Sequence, residues 1–322
     1  MRRQTTVYAV AVLLAVVVAA VFPESASYFQ RTINLVLAVL LYVTFLEIPF
    51  VRIRRAFTNT RFMSAALGVN FIVVPVVVWV LTLPLDDPLV LVGVLMVLLT
   101  PCIDYVISFT ELAGGDSEQI TAATPALMLV QLLLLPVYLW LFMGGKVAEI
   151  VEPEPFVEAF VLIIVAPLAS AWLTQTFSER LETVESWQDA MEWFPVPMMG
   201  LTLFVVIASQ LPRVQDSIGR IAVVVPVYVA FLVVMPLIAR NVASFLNMET
   251  GESRALVFTS TTRNSLVVLP LAVALPDGYG LVPAVVVTQT LVELSGMVVL
   301  TRAVPRWLVK GSTPETARAE SQ

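Results

Sequence analysis

Four side chains interrupt otherwise apolar sequence and carry the chemistry of the chain. They are Cys102 and Asp104 in "LLTPCID" (98–104), Arg263 in "TSTTRNSLVVLP" (259–270) and Glu293 in "QTLVELSGM" (289–297). Cys102 is the only cysteine and the chain has no histidine, which excludes an internal disulfide and any Cys/His metal cluster. A lone cysteine is usually a small buried hydrophobe, but its position directly after the helix-breaking Pro101 favours a functional role. Glu293 has apolar sequence on both sides. An ionisable group at membrane depth costs from about 2.5 to more than 10 kcal/mol depending on the group and on how it is measured, so a carboxylate there reads as a proton or cation site. Asp104 and Arg263 have two readings: a buried ion pair holding two helices together, or a guanidinium that serves as counter-ion to an anion. Without histidine a proton relay must run through carboxylates, hydroxyls or water, and the carboxylates available are Glu293 and Asp104.

The same inventory excludes several enzyme classes. A Ser–His protease is impossible without histidine. An intramembrane aspartyl protease would want G-x-G-D, and "AGGD" at 113–116 lacks the first glycine. No glycine loop for phosphate is present, so an ATP-driven pump is not indicated. The sequence implies no enzyme activity, no cofactor and no nucleic-acid partner.

The elements that must position these residues follow from composition. Of 322 residues 59% are hydrophobic and 13% charged, against about 25% charged in an average soluble domain. Ten apolar runs long enough to cross a hydrocarbon core of about 30 Å recur, at roughly 7–22, 32–51, 62–83, 88–110, 119–143, 156–177, 195–211, 220–245, 252–276 and 280–301. The chain therefore reads as an all-α membrane protein whose partner is the lipid bilayer. The first run follows Arg2 and Arg3 without a cleavage-like site after it and reads as a retained span. With the N-terminus inside, thirteen Lys and Arg residues fall on the inner side and four on the outer, which predicts that both termini are cytoplasmic. The polar stretch 311–322 reads as a disordered cytoplasmic tail.

Ten spans divide at the acidic loop "KVAEIVEPEPFVE" (146–158) into five-span halves, 1–150 and 151–310. An odd number of spans per half inverts the second relative to the first, which is the plan of many secondary carriers. Helix 4 then carries "TPCID" and helix 9 the seven polar residues Thr259 to Ser265, so the corresponding helix of each half is broken. Pro101 supplies no N–H and frees carbonyls that hydrocarbon cannot satisfy. Two such breaks crossing near mid-membrane enclose one polar cavity for a small molecule. Thr100, Asn264 and Ser265 would supply its hydrogen bonds.

The proline–cysteine pair of the fourth span, the following loop that ends in Gly-Asp ("TPCIDYVISFTELAGGD") and the late glutamate in "LVEL" resemble the arsenical-resistance arsenite permeases, within the bile acid/sodium symporter superfamily. That resemblance implies efflux of arsenite or antimonite across the cytoplasmic membrane by proton antiport, with Cys102 as the metalloid contact and Glu293 as the coupling residue. Asp104 and Arg263 depart from the family's pattern. A fixed guanidinium would repel sodium and favour protons, and it would also attract an anion, which keeps open a carrier of a small organic anion in the same fold.

Overall fold

The structure is a computed structural model that describes residues 2–46, 59–103, 105–150, 161–178, 181–191, 193–214, 218–275 and 278–310. Among these residues every regular element is helical. Asp104 and the tail at 311–322 lie outside them.

Helix α1 (Arg2–Val21) and α2 (Ala26–Leu46) are followed by α3, which runs Thr60–Thr82 with a π-helical turn at Val69–Val73. Then come α4 (Pro88–Leu98), the short α5 (Val106–Leu112) and the long α6 (Ser117–Ile150). The second part of the chain contains α7 (Ala166–Ser178), α8 (Glu182–Met191), α9 (Pro195–Val214), α10 (Val224–Phe245), α11 (Thr250–Thr261), α12 (Ser265–Ala274) and α13 (Leu281–Ala303). Among the described residues four helical stretches are long and apolar enough to cross a membrane: Thr60–Thr82, Ser117–Met143, Gly219–Phe245 and Leu281–Leu308.

The predicted run 195–211 is crowded by prolines, yet α9 forms there. Pro195 opens the helix and Pro197 lies in its first turn, where an N–H has no intrahelical acceptor to lose. The predicted loop at 146–158 begins later than expected, because α6 continues through Ile150.

Local chemistry explains the element ends that matter. Asp87 caps α4 by accepting the Leu89 N–H at 3.0 Å, and Pro88 occupies the first helical position. Asp116, the acid of "AGGD", accepts the Gln119 N–H at 3.1 Å at the start of α6, while Gly114 takes the left-handed φ of +65° that ends α5. Pro75 removes the donor for the Phe71 carbonyl, and the Tyr138 hydroxyl of α6 donates to it at 2.5 Å.

Helix α4 is buried without interruption from Val92 through Leu98. It packs against α13 so closely that a Cβ at Gly93 would lie 2.7 Å from Cγ1 of Val285. By contrast α3, α6 and α10 leave Trp79, Leu133, Trp140 and Val233 exposed, an apolar outer face suited to lipid.

Candidate functional site

The two predicted breaks meet. Helix α4 ends at Leu98 and α5 begins at Val106, while α11 ends at Thr261 and α12 begins at Ser265. Between them Pro101 and Arg263 form an isolated antiparallel bridge. The Cys102 N–H donates to the Thr262 carbonyl at 3.1 Å and the Asn264 N–H to the Thr100 carbonyl at 2.8 Å. In such a pair the bridged residues themselves exchange no hydrogen bond. The missing N–H of Pro101 therefore costs nothing at this position.

The Arg263 N–H faces the other way and donates to Oε2 of Glu293 at 2.9 Å. Glu293 comes from α13 and is 1% exposed. Its Oε2 also accepts from Nε2 of Gln289, one helical turn earlier, and its Oε1 lies 2.6 Å from the Tyr105 hydroxyl. That hydroxyl is also 3.0 Å from the Arg263 carbonyl oxygen. A single tyrosine proton thus has two acceptors, a carboxylate and a carbonyl. With Glu293 ionised it goes to the carboxylate. With Glu293 protonated the carboxyl can donate to Tyr105, which turns its own proton to the carbonyl of the break.

Arg263 is fully buried. Its terminal nitrogens donate to the Leu98 carbonyl at 3.3 Å, the Thr259 carbonyl at 3.1 Å, the Ser260 carbonyl at 2.5 Å and Oδ1 of Asn70 at 2.9 Å. Its Cζ lies 5.3 Å from the centre of the Phe231 ring. Among the described residues the ion pairs are Arg61–Glu252 and Arg220–Asp87, so no described carboxylate pairs with this guanidinium. The expected partner Asp104 lies outside the described residues.

The remaining predicted residues gather at the same crossing. Cys102 is 1% exposed. Thr100 is buried and its hydroxyl donates to the Met96 carbonyl at 2.8 Å. Asn264 caps α12 through Oδ1, which accepts the Val267 N–H at 3.1 Å, and Oγ of Ser265 accepts from Thr290 at 2.8 Å. Several buried polar atoms here have no protein partner among the described residues: Nδ2 of Asn264, Oγ1 of Thr259, Nε of Arg263 and Oε1 of Gln289. Orphaned polar atoms in a protein interior are costly unless water or a ligand satisfies them.

The family model described as "Sodium Bile acid symporter family" matches residues 34–217, more than half of the chain. The chain belongs to that family. Its members are transporters, and the apolar helices agree with a multi-pass membrane protein that handles small molecules and ions within the bilayer. No curated protein matches the chain at the level of individual sequences. The matched segment includes the first break with Cys102 and ends before Arg263 and Glu293.

Three neighbours of the site were not singled out from the sequence. Gln289 carries a usable signal, since it stands four residues before Glu293 and so on the same helix face. Asn70 is one polar residue inside "LGVNFIVVP", and Tyr105 directly follows the first break. Neither position announces which partner it meets.

Proposed function

We propose that the protein is a secondary carrier that exports arsenite or antimonite across the cytoplasmic membrane in exchange for protons. The observation that carries this reading is the placement of the only thiol of the chain at the paired breaks, beside a buried carboxylate hydrogen-bonded to the same backbone. Arsenite near neutral pH is mainly an uncharged trihydroxide, soft at arsenic and hydrogen-bonding at oxygen. A carrier has to release its cargo, so one thiol suits a transient contact better than the several a scavenger would use. Cys102 contacts the metalloid, while Thr100, Asn264 and Ser265 serve its hydroxyls.

Glu293 carries the exchanged proton. Because it holds the Arg263 N–H and faces Tyr105, its protonation changes hydrogen bonds on both sides of the crossing and so biases one carrier state over the other. The organic-anion alternative would need the terminal nitrogens of Arg263, and these already donate to four protein oxygens. In this reading 1–150 and 151–310 are inverted five-helix halves, α4–α5 and α11–α12 are their broken fourth helices, and both termini are cytoplasmic with 311–322 as a tail.

The test is arsenite uptake into everted membrane vesicles under an imposed pH gradient. Uptake should be driven by the gradient in the wild-type protein and lose that dependence in Glu293→Gln, which keeps the shape of the side chain but cannot titrate. Wild-type vesicles that accumulate no arsenite would end the cargo assignment, and undiminished gradient-driven uptake in the glutamine variant would move the proton to Asp104.

A further inference from the structure

The Arg263 guanidinium sits in an arrangement that ordinarily belongs to a metal cation. Its oxygen partners are the last carbonyl of α4, two carbonyls in the last turn of α11 and the side-chain oxygen of Asn70. The C-terminal ends of two half-helices therefore converge on one positive charge, and each presents the negative end of its dipole. In carriers with broken helices, unwound carbonyls and half-helix C-termini are the groups that coordinate alkali ions. Asn70 is fixed in this role, because its Nδ2 donates to the Ala66 carbonyl at 2.9 Å and leaves the amide oxygen facing the guanidinium. The face of Phe231 covers the cation.

We propose that the Arg263 side chain is a tethered replacement for a monovalent cation, filling an all-oxygen cradle at the meeting of α4 and α11, so that the carrier needs no dissolved alkali ion at this point. A covalently held charge cannot enter and leave with each cycle. Ion coupling is then left to Glu293, which approaches Arg263 through its backbone N–H and takes no part in the cradle. This consequence rests on the carrier reading above, whereas the cradle itself does not depend on what the carrier moves.

The experiment is thermal unfolding of the purified full-length chain in detergent, in chloride salts of choline, sodium, potassium and lithium, and with millimolar guanidinium, at constant ionic strength. The wild-type midpoint should be the same in every salt. Arg263→Ala should lower the midpoint, and sodium or guanidinium well above its dissociation constant should restore about 2–4 °C relative to choline. The rescue should survive Glu293→Gln and disappear with Asn70→Ala. A wild-type midpoint that rises with sodium, an alanine variant indifferent to every cation, or a rescue that needs Glu293 and not Asn70 would each overturn the proposal. If the alanine variant does not fold, Arg263→Lys and Arg263→Met are compared by size-exclusion of the solubilised chain. The lysine variant should retain a monodisperse peak that the methionine variant loses; a peak retained by both would show that the site does not require a cation, and loss in both would show that a tethered positive charge does not fill it, so either would overturn the proposal. Failure of arsenite transport with this cation pattern intact would overturn the cargo and leave the cradle standing.

Discussion

Cys102 is held by its backbone as much as by its surroundings, since its N–H is one of the two hydrogen bonds that pair the breaks. Substitution by serine leaves that bond and the side-chain volume nearly unchanged while replacing a soft sulfur with a hard oxygen. Cys102→Ser should therefore reach the membrane and unfold at the wild-type temperature, yet export arsenite at least about tenfold more slowly, equivalent to about 1.4 kcal/mol of barrier. Intracellular arsenic in a host stripped of its own efflux systems is the readout. Full export by the serine variant would take thiol contact out of the mechanism. Arg263 teaches a different lesson at this scale. Its burial among polar residues is legible in "TTRNSL", but its partners are backbone carbonyls, which have no sequence signature.

Among the elements, the breaks were the most legible features, because proline at 101 and seven polar residues at 259–265 cannot be accommodated in a lipid-facing helix. That they pair residue against residue was not legible, since antiparallel pairing of two short extended segments depends on the packing of α4, α11 and α13. The π-helical turn in α3 was equally hidden. Its sequence, "VNFIV", is apolar except for Asn70, and the turn supplies that asparagine to the guanidinium 193 positions away. Four residues beyond Phe71, Pro75 leaves the Phe71 carbonyl without its helical donor, and the Tyr138 hydroxyl of α6 supplies one. Tyr138→Phe removes the hydroxyl and keeps the ring, so the Phe71 carbonyl is left without that donor at a cost of about 1–2 kcal/mol. The expected result is a lower unfolding midpoint in detergent with unchanged helical circular dichroism. A midpoint equal to that of the wild type would mean that the freed carbonyl finds another donor.

At the scale of the molecule, two ion pairs tie residues before 150 to residues after it at opposite ends of α3. Arg61, in the first turn of α3, reaches Glu252 at 3.0 Å, and Asp87, just past its other end, reaches Arg220 at 2.5 Å. The Asp87 of the second pair also caps α4, so the pair links that buried helix to the segment entering α10. Burial alone would push the Asp87 carboxyl up, but hydrogen bonds from Arg220, Leu89 and Val90 together with the charge of Arg220 hold it below its ordinary value of 3.8. A carboxyl depressed on folding stabilises the protein above its unfolded value and loses that contribution as pH falls through the folded value. Stability from this pair is thus complete above about pH 4 and fades only in more acidic solution. Both side chains are partly exposed, at 50% for Arg220 and 30% for Asp87, so solvent screening limits the contribution to about 1 kcal/mol or less. Asp87→Asn retains a capping oxygen while deleting the charge. Its unfolding midpoint should lie slightly below that of the wild type at neutral pH, with the gap shrinking in high salt and closing as the pH is taken below the carboxyl range. A gap that persists unchanged in acid would assign the effect to altered capping of α4 and not to the ion pair.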